Sequence, residues 1–254
     1  LKAVREEHQP KRRYLKKLTN IPPGLNLRET ARLLAFVKAE VELPDRIDRI
    51  SARFVGSPYF ENPLGGGPEE KESLTCSLKG FDCVTYIETV LALALAKSME
   101  VFPSLLREIR YAKGKVEWPS RNHYMVDWIR NNQTRGFVIN ITAGTGAIEK
   151  TRLLNVVEGL PDKTVTFFCY PKRRLKSIAD KILTGDIVLF ASVKKHLDVF
   201  HTGFLIRRES EILLRHATRR RGAVIEQRLE EFLAEHRMSG LILVRPKERR
   251  SKRR

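Results

Sequence analysis

Cysteine is scarce: three residues in 254 cannot all pair, and their spacing is too sparse for a disulfide scaffold, so at least one thiol is free. Long apolar runs are missing as well. The longest, Val90 to Ala96, falls far short of a membrane-spanning helix. There is no G-x-S-x-G elbow and no phosphate-binding P-loop. Gly144-Thr145-Gly146 lacks the third glycine and the strand–helix flanks of a dinucleotide site. Zinc-finger spacing, an aromatic–basic strand signature and a heptad-plus-basic region are absent, so nothing sharpens a nucleic-acid reading. Cys76, Cys83, His196 and His201 are all zinc-ligand types. However, six residues between the cysteines and four between the histidines match no common template, and neither metal nor organic cofactor is expected. No export signal is visible in a chain that opens at Leu1 rather than Met, and that start says nothing about export.

Negative charge is also in short supply. Forty-eight Lys and Arg face 30 Asp and Glu, a formal net charge of +18. Residues 1–20 hold seven Lys/Arg against two Glu and residues 246–254 hold six against one, which gives each end +5 and leaves +8 for residues 21–245. The ends read as a basic N-terminal arm (1–20) and a basic C-terminal tail (246–254). Between them, residues 21–245 read as one domain, and 42% hydrophobic residues suffice for one substantial core. The charge suits a polyanion (nucleic acid, an anionic membrane face or an anionic cell-wall polymer), and it equally suits plain solubility.

Apolar spacing predicts helices first. Asn26 to Val37 is amphipathic, and Asp45 to Phe54 repeats apolar residues at Ile47, Ile50 and Phe54, with Asp45 as a candidate cap. Gly56 to Glu70, rich in Gly and Pro, is a loop. Helices are expected at Asp82 to Lys97, near Pro103 to Tyr111, and within Arg121 to Asn132. Strands are expected at Phe137 to Thr142, Val165 to Tyr170, Asp186 to Ala191, Val199 to Arg207, Ile212 to Ala217 and Leu241 to Val244. Val224 to His236 has helical spacing. Helices followed by an antiparallel sheet make an α+β domain.

Within that frame, Phe81-Asp82-Cys83-Val84-Thr85-Tyr86 places a thiol just inside the start of a buried helix. Unpaired N–H groups and the positive end of the helix dipole favour a thiolate there, while the Asp82 carboxylate opposes it. Such a thiolate needs a base and counter-ion. His201 is expected on a strand, sharing a face with Val199 and Gly203, and the glycine leaves room for a neighbour. His216, on the next strand, is placed to bond His201 and fix its tautomer. Each of the three alone reads as an ordinary core or edge residue; together, on elements that can adjoin, they point to catalysis. Cys76 and Cys169 lack such context and read as buried thiols.

The segment Ser57-Pro58-Tyr59, the Gly-rich loop, Gly80-Phe81-Asp82-Cys83, His201-Thr202-Gly203-Phe204 and His216-Ala217-Thr218 together resemble the NlpC-type papain-like cysteine peptidases. Four further segments resemble the N-acetylmuramoyl-L-alanine amidase-like branch. These are Cys83 to Thr89, Arg121 to Tyr124 with Asp127-Trp128, Gly185 to Val188, and Leu197 to Val199. The likeness runs from about Leu33 to Val244 and leaves out both basic ends. It implies a papain-like α+β fold, N-terminal helices packed on an antiparallel sheet, with an insertion around 100–180. It implies hydrolysis of the amide between the muramoyl lactyl group and L-alanine of peptidoglycan or muropeptides, in a periplasmic or secreted setting. Cys83 would be nucleophile, His201 base and then acid, and His216 the orienting residue; Tyr59 would line the site. Arg121, His123 and Tyr124 would help to recognise sugar or stem. Basic clusters such as Arg207-Arg208 and Arg219 to Arg221 read as solvated surface or as attractors for stem carboxylates. The alternatives are a stem-peptide endopeptidase, an acyltransferase using the same thiol, and a non-catalytic polyanion-binding protein.

Overall fold

The computed structural model describes residues 21–37, 42–142 and 144–248. The basic arm and residues 249–254 of the basic tail lie outside the described residues. Among the described residues five α-helices come first: α1 (Leu27–Val37), α2 (Leu43–Arg53), α3 (Cys83–Leu95), α4 (Phe102–Arg110) and α5 (Met125–Thr134). Then follow β1 (Val138–Asn140), β2 (Ile148–Leu154), β3 (Lys163–Cys169), a short α6 (Leu175–Ile178), β4 (Ile187–Ala191), β5 (Val199–Arg208), β6 (Glu211–Thr218), β7 (Ala223–Arg228), α7 (Leu229–Glu235) and β8 (Gly240–Pro246). This is the expected α+β order.

α3 is the hub. A capping box starts it: the Asp82 carboxylate accepts the Thr85 N–H at 2.7 Å, and the Thr85 hydroxyl accepts the Asp82 N–H at 3.0 Å. Every residue from Thr85 to Ala94 is buried, the pattern of a helix covered on all sides. Its one buried charge, Glu88, meets Arg110 of α4 at 2.6 Å, with both side chains 2% exposed. α2 departs from expectation in its cap. Glu42 takes the N-cap position and Pro44 fills the first turn, so Asp45 lies inside the helix.

Six strands form one antiparallel sheet in the order β1-β8-β4-β5-β6-β7, and β2 and β3 make a separate hairpin. All five residues of β4 are buried because both sheet faces are covered. Ile187, Leu189 and Ala191 join the core under α3, whereas Val188 and Phe190 join a second core with Phe232 and Leu229 of α7.

Two sequence expectations need correction. Val224 to His236 is not one helix: Val224 pairs with Ala217 in β7, and the helix starts only at Leu229. Gly222, with φ at +66°, makes the turn that returns the chain antiparallel to β6, and period-two alternation takes over. In β5 the pairing register shifts, Ala191 facing Val199 but Phe190 facing His201, so Phe200 is a bulge. Val199 therefore packs in the core under α3, while His201 stacks on Phe190 of the second core, and the two do not share a face.

The buried Glu88–Arg110 pair is sensitive to loss of either charge. Glu88→Gln leaves the Arg110 guanidinium buried without its counter-charge, and a loss of about 3–5 kcal/mol is expected. Denaturant unfolding of the variant reads this directly, and an unchanged midpoint contradicts it.

Candidate active site

Cys83 is the first residue of α3, half-buried, beside its capping aspartate. The ladder between β5 and β6 is paired only from Phe204 and Arg215 onward. Just beyond that end, the Thr202 N–H lies against the Cys83 sulfur, together with the N–H groups of Cys83 and Val84. Burial, and secondarily the Asp82 carboxylate, push the thiol up to about 12 despite those donors. The helix start therefore does not by itself make a thiolate.

One residue before Thr202, His201 Nε2 meets His216 Nδ1 at 2.5 Å. Gly203 makes this possible: a β-carbon there would stand 2.8 Å from both the His216 β-carbon and the Arg215 carbonyl oxygen. The His201 ring stacks against the adjoining rings of Phe190 and Phe232, with centroids at 6.1 and 5.4 Å, and His216 meets Phe232 edge-on at 5.3 Å. Burial first, then neighbouring histidines, lowers His201 well below its ordinary value and His216 to about 4. Both rings are thus neutral near neutrality. Among the described residues, no hydrogen bond joins the Cys83 thiol to the His201 ring.

Tyr59 flanks the thiol. Its hydroxyl is raised by burial and then by the charges of Cys83 and Asp82. Its backbone bridges Phe81 on one side, and on the other its N–H donates to the Gly222 carbonyl at 2.7 Å. The remaining predicted contacts have internal partners. Arg121 meets Glu72 at 2.7 Å, donates to the Gly65 carbonyl at 3.0 Å, and lies over the Trp118 ring. It thereby pins the Gly-rich loop. His123 Nε2 contacts the Trp118 carbonyl at 2.8 Å, and burial lowers its pKa. Tyr124 is 2% exposed, and its hydroxyl accepts the N–H groups of Val156 and Val157 at 2.9 and 3.2 Å.

A family profile described as N-acetylmuramoyl-L-alanine amidase-like matches residues 49–241. The chain belongs to that family. Its family-level function is amidase-like hydrolysis. The N-acetylmuramoyl-L-alanine amidase of Bacteroides uniformis is 25% identical with a TM-score of 0.71, covering 81% of this chain and 99% of its own. A Legionella pneumophila protein, 24% identical with a TM-score of 0.77, covers 86% and 93% and shares the fold. A Bacteroides fragilis protein described as a candidate xylanase is 26% identical, with a TM-score of 0.68 and coverages of 77% and 98%. A search of curated proteins gives no match.

Within this amidase-like domain, some functional neighbours escaped the sequence. His236 stacks on Phe232 at 4.1 Å and bonds its carbonyl through Nδ1, so it stands next to the histidine pair and helps to lower both rings. Asp198, buried, accepts the Val126 N–H at the start of α5 and its neighbour Val199 N–H, which anchors β5 just before His201. The motif Leu197-Asp198-Val199 pointed to it; no local signal pointed to His236. Among the described residues, no group of three or more His, Cys, Asp or Glu is placed to hold a metal ion, and no helix is long and apolar enough to cross a membrane.

The lowered histidines make stability depend on pH. The unfolded chain takes up the His216 proton near pH 6.5 and the folded protein only near 4, so its neutral burial costs nothing above 6.5 and stability falls as pH drops from there to about 4; His201, held low by burial, acts in the same direction. For His216 the loss is on the order of 3 kcal/mol. Denaturant midpoints at pH 7 and 4.5 should converge in His216→Gln relative to the unsubstituted protein; an equal pH slope in both contradicts the assignment.

Proposed function

We propose that this protein is a cysteine amidase of peptidoglycan, cutting the amide between the muramoyl lactyl carbonyl and L-alanine through a thioester on Cys83. The observation that carries the reading is the His201–His216 contact at 2.5 Å, one residue from the Thr202 N–H that touches the thiol. The family description supplies the substrate class.

In the base-competent tautomer, His201 Nε2–H donates to His216 Nδ1, and His201 Nδ1 keeps its lone pair. His216 then carries its own proton on Nε2, a buried atom without a protein partner. At rest the thiol is protonated and both rings are neutral. As the sulfur attacks the lactyl carbonyl, its proton passes to His201. An imidazolium forms beside a thiolate, and each charge offsets the cost of burying the other. The tetrahedral oxyanion takes N–H donors at the start of α3, including that of Cys83. His201 returns the proton to the departing L-alanine nitrogen as the C–N bond breaks. Water then attacks the thioester, His201 accepts its proton, and the thiol is regenerated.

Tyr59 forms one wall of this site. Arg121 and Tyr124 act by holding its walls, Arg121 on the Gly-rich loop and Tyr124 on residues 156–157, and His123 supports Trp118 behind that loop. Muropeptides are the partner, and a periplasmic or secreted setting follows from the substrate. Mass spectrometry of digested muropeptides provides the test. Free stem peptide should appear with the unsubstituted protein and vanish with Cys83→Ala. Fragments cut inside the stem would make it an endopeptidase, product dependent on an added acceptor would make it an acyltransferase, and intact substrate would contradict hydrolysis.

A further inference from the structure

We propose that the Arg219–Arg221 turn is an anion subsite that binds free carboxylates of the stem peptide on the leaving-group side of the scissile amide. The proposal rests on the amidase reading for its substrate, and goes beyond it in assigning where the peptide lies and what recognises it.

The turn starts three residues after His216 and closes on Gly222. It is built into the rim of the site by backbone bonds. The Gly222 carbonyl accepts the Tyr59 N–H at 2.7 Å, the Val224 carbonyl accepts the Gly56 N–H at 2.9 Å, and the Val224 N–H donates to the Ser57 carbonyl at 2.8 Å. On the other side of that segment, Phe60 N–H donates to the Phe81 carbonyl at 2.9 Å and Phe81 N–H to the Pro58 carbonyl at 3.1 Å. Cys83 follows two residues later. Residues 58–60 therefore lie as a middle strand between the nucleophile's chain and the arginine turn, and two such spacings amount to about 10 Å. An extended peptide advances about 3.3 Å per residue, so the turn stands about three residues from the bond at Cys83.

The arginines are available. The Arg219 and Arg220 side chains are 74% and 67% exposed, and their partners Glu61 and Glu235 are 64% and 44% exposed. Surface pairs of this kind are worth about 0–1 kcal/mol, so a carboxylate ligand displaces them readily. Arg221 is exposed and has no acidic partner among the described residues. Other arginines near the site differ: Arg215 is bound to Asp48, Ser51 and Glu226, and Arg121 to Glu72 and Gly65. Tyr59 feels both ends of this span, since the thiol raises its hydroxyl and Arg219 lowers it. A carboxylate is the ligand that exposed guanidiniums carried on one short turn accept most readily, through paired N–H···O bonds.

The test compares one muropeptide with free stem carboxylates and the same muropeptide with those carboxylates amidated. The triple variant R219Q/R220Q/R221Q should raise KM for the acid about tenfold with kcat unchanged, and should change the amidated substrate by less than about twofold. Equal loss on both substrates, or no loss on either, overturns the proposal. Calorimetric titration of the isolated acidic stem peptide keeps it separate from the amidase reading. Binding weakened about tenfold in the variant supports the subsite even where no muropeptide is cleaved, and that combination sinks the amidase reading alone. Unweakened binding overturns the subsite. Inorganic polyphosphate that binds more tightly than the stem peptide, and loses its affinity in the same variant, overturns carboxylate recognition in favour of a general polyanion surface.

Discussion

A β-carbon at residue 203 would lie 2.8 Å from the β-carbon of His216 and from the Arg215 carbonyl oxygen, so the meeting of the two histidines depends on a glycine there. That close approach comes just as β6 ends its pairing with β5. Past this point the Thr202 N–H, no longer held in the ladder, lies against the Cys83 sulfur at the start of α3. The bulge at Phe200 turns His201 out of the core under α3 and onto Phe190 and Phe232. One glycine, one bulge and the end of one ladder thus set two imidazoles against each other and leave the neighbouring Thr202 N–H at the thiol.

Burial then sets the chemistry. The thiol is held high and both histidines low because each would be charged in surroundings that hydrate charge poorly. The resting site is therefore neutral, and in the proposed mechanism charge arises as sulfur and imidazole exchange a proton during attack. The carboxylates near the site have other tasks: Asp82 caps α3, Asp198 joins β5 to α5, and Glu88 balances Arg110 in the core. Exposed positive charge sits outside, on the Arg219–Arg221 turn beside Tyr59, in surface pairs at Arg219 and Arg220. This division keeps strong fields away from the histidine pair while leaving an anion-attracting rim.

Much of this was legible in the chain. The long apolar run predicts a helix over Asp82 to Lys97, and α3 is there, capped by Asp82. β4, β5 and β8 announce themselves through short apolar runs, and the candidates Cys83, His201 and His216 follow from order and neighbours. What escaped depends on contacts between distant segments. Ile148–Leu154 alternates apolar with charged residues too weakly to declare β2, which exists because it pairs with β3. Val224, Leu229 and Phe232 fall at helical spacing by coincidence: Val224 pairs with Ala217 in β7, and the helix starts only at Leu229. The bulge at Phe200 has no local signature, and neither does the stacking of His236 on Phe232. The internal partners of Arg121 and Tyr124, Glu72 and the Val156 N–H, likewise lie far away in sequence and have no local signature.

The most direct test of the account is rapid-quench mass spectrometry of the intact protein mixed with a muropeptide. An adduct carrying the sugar's lactyl acyl group on Cys83, formed and then lost within a turnover, is the predicted result. No adduct during active turnover, or acylation of any residue other than Cys83, would contradict it.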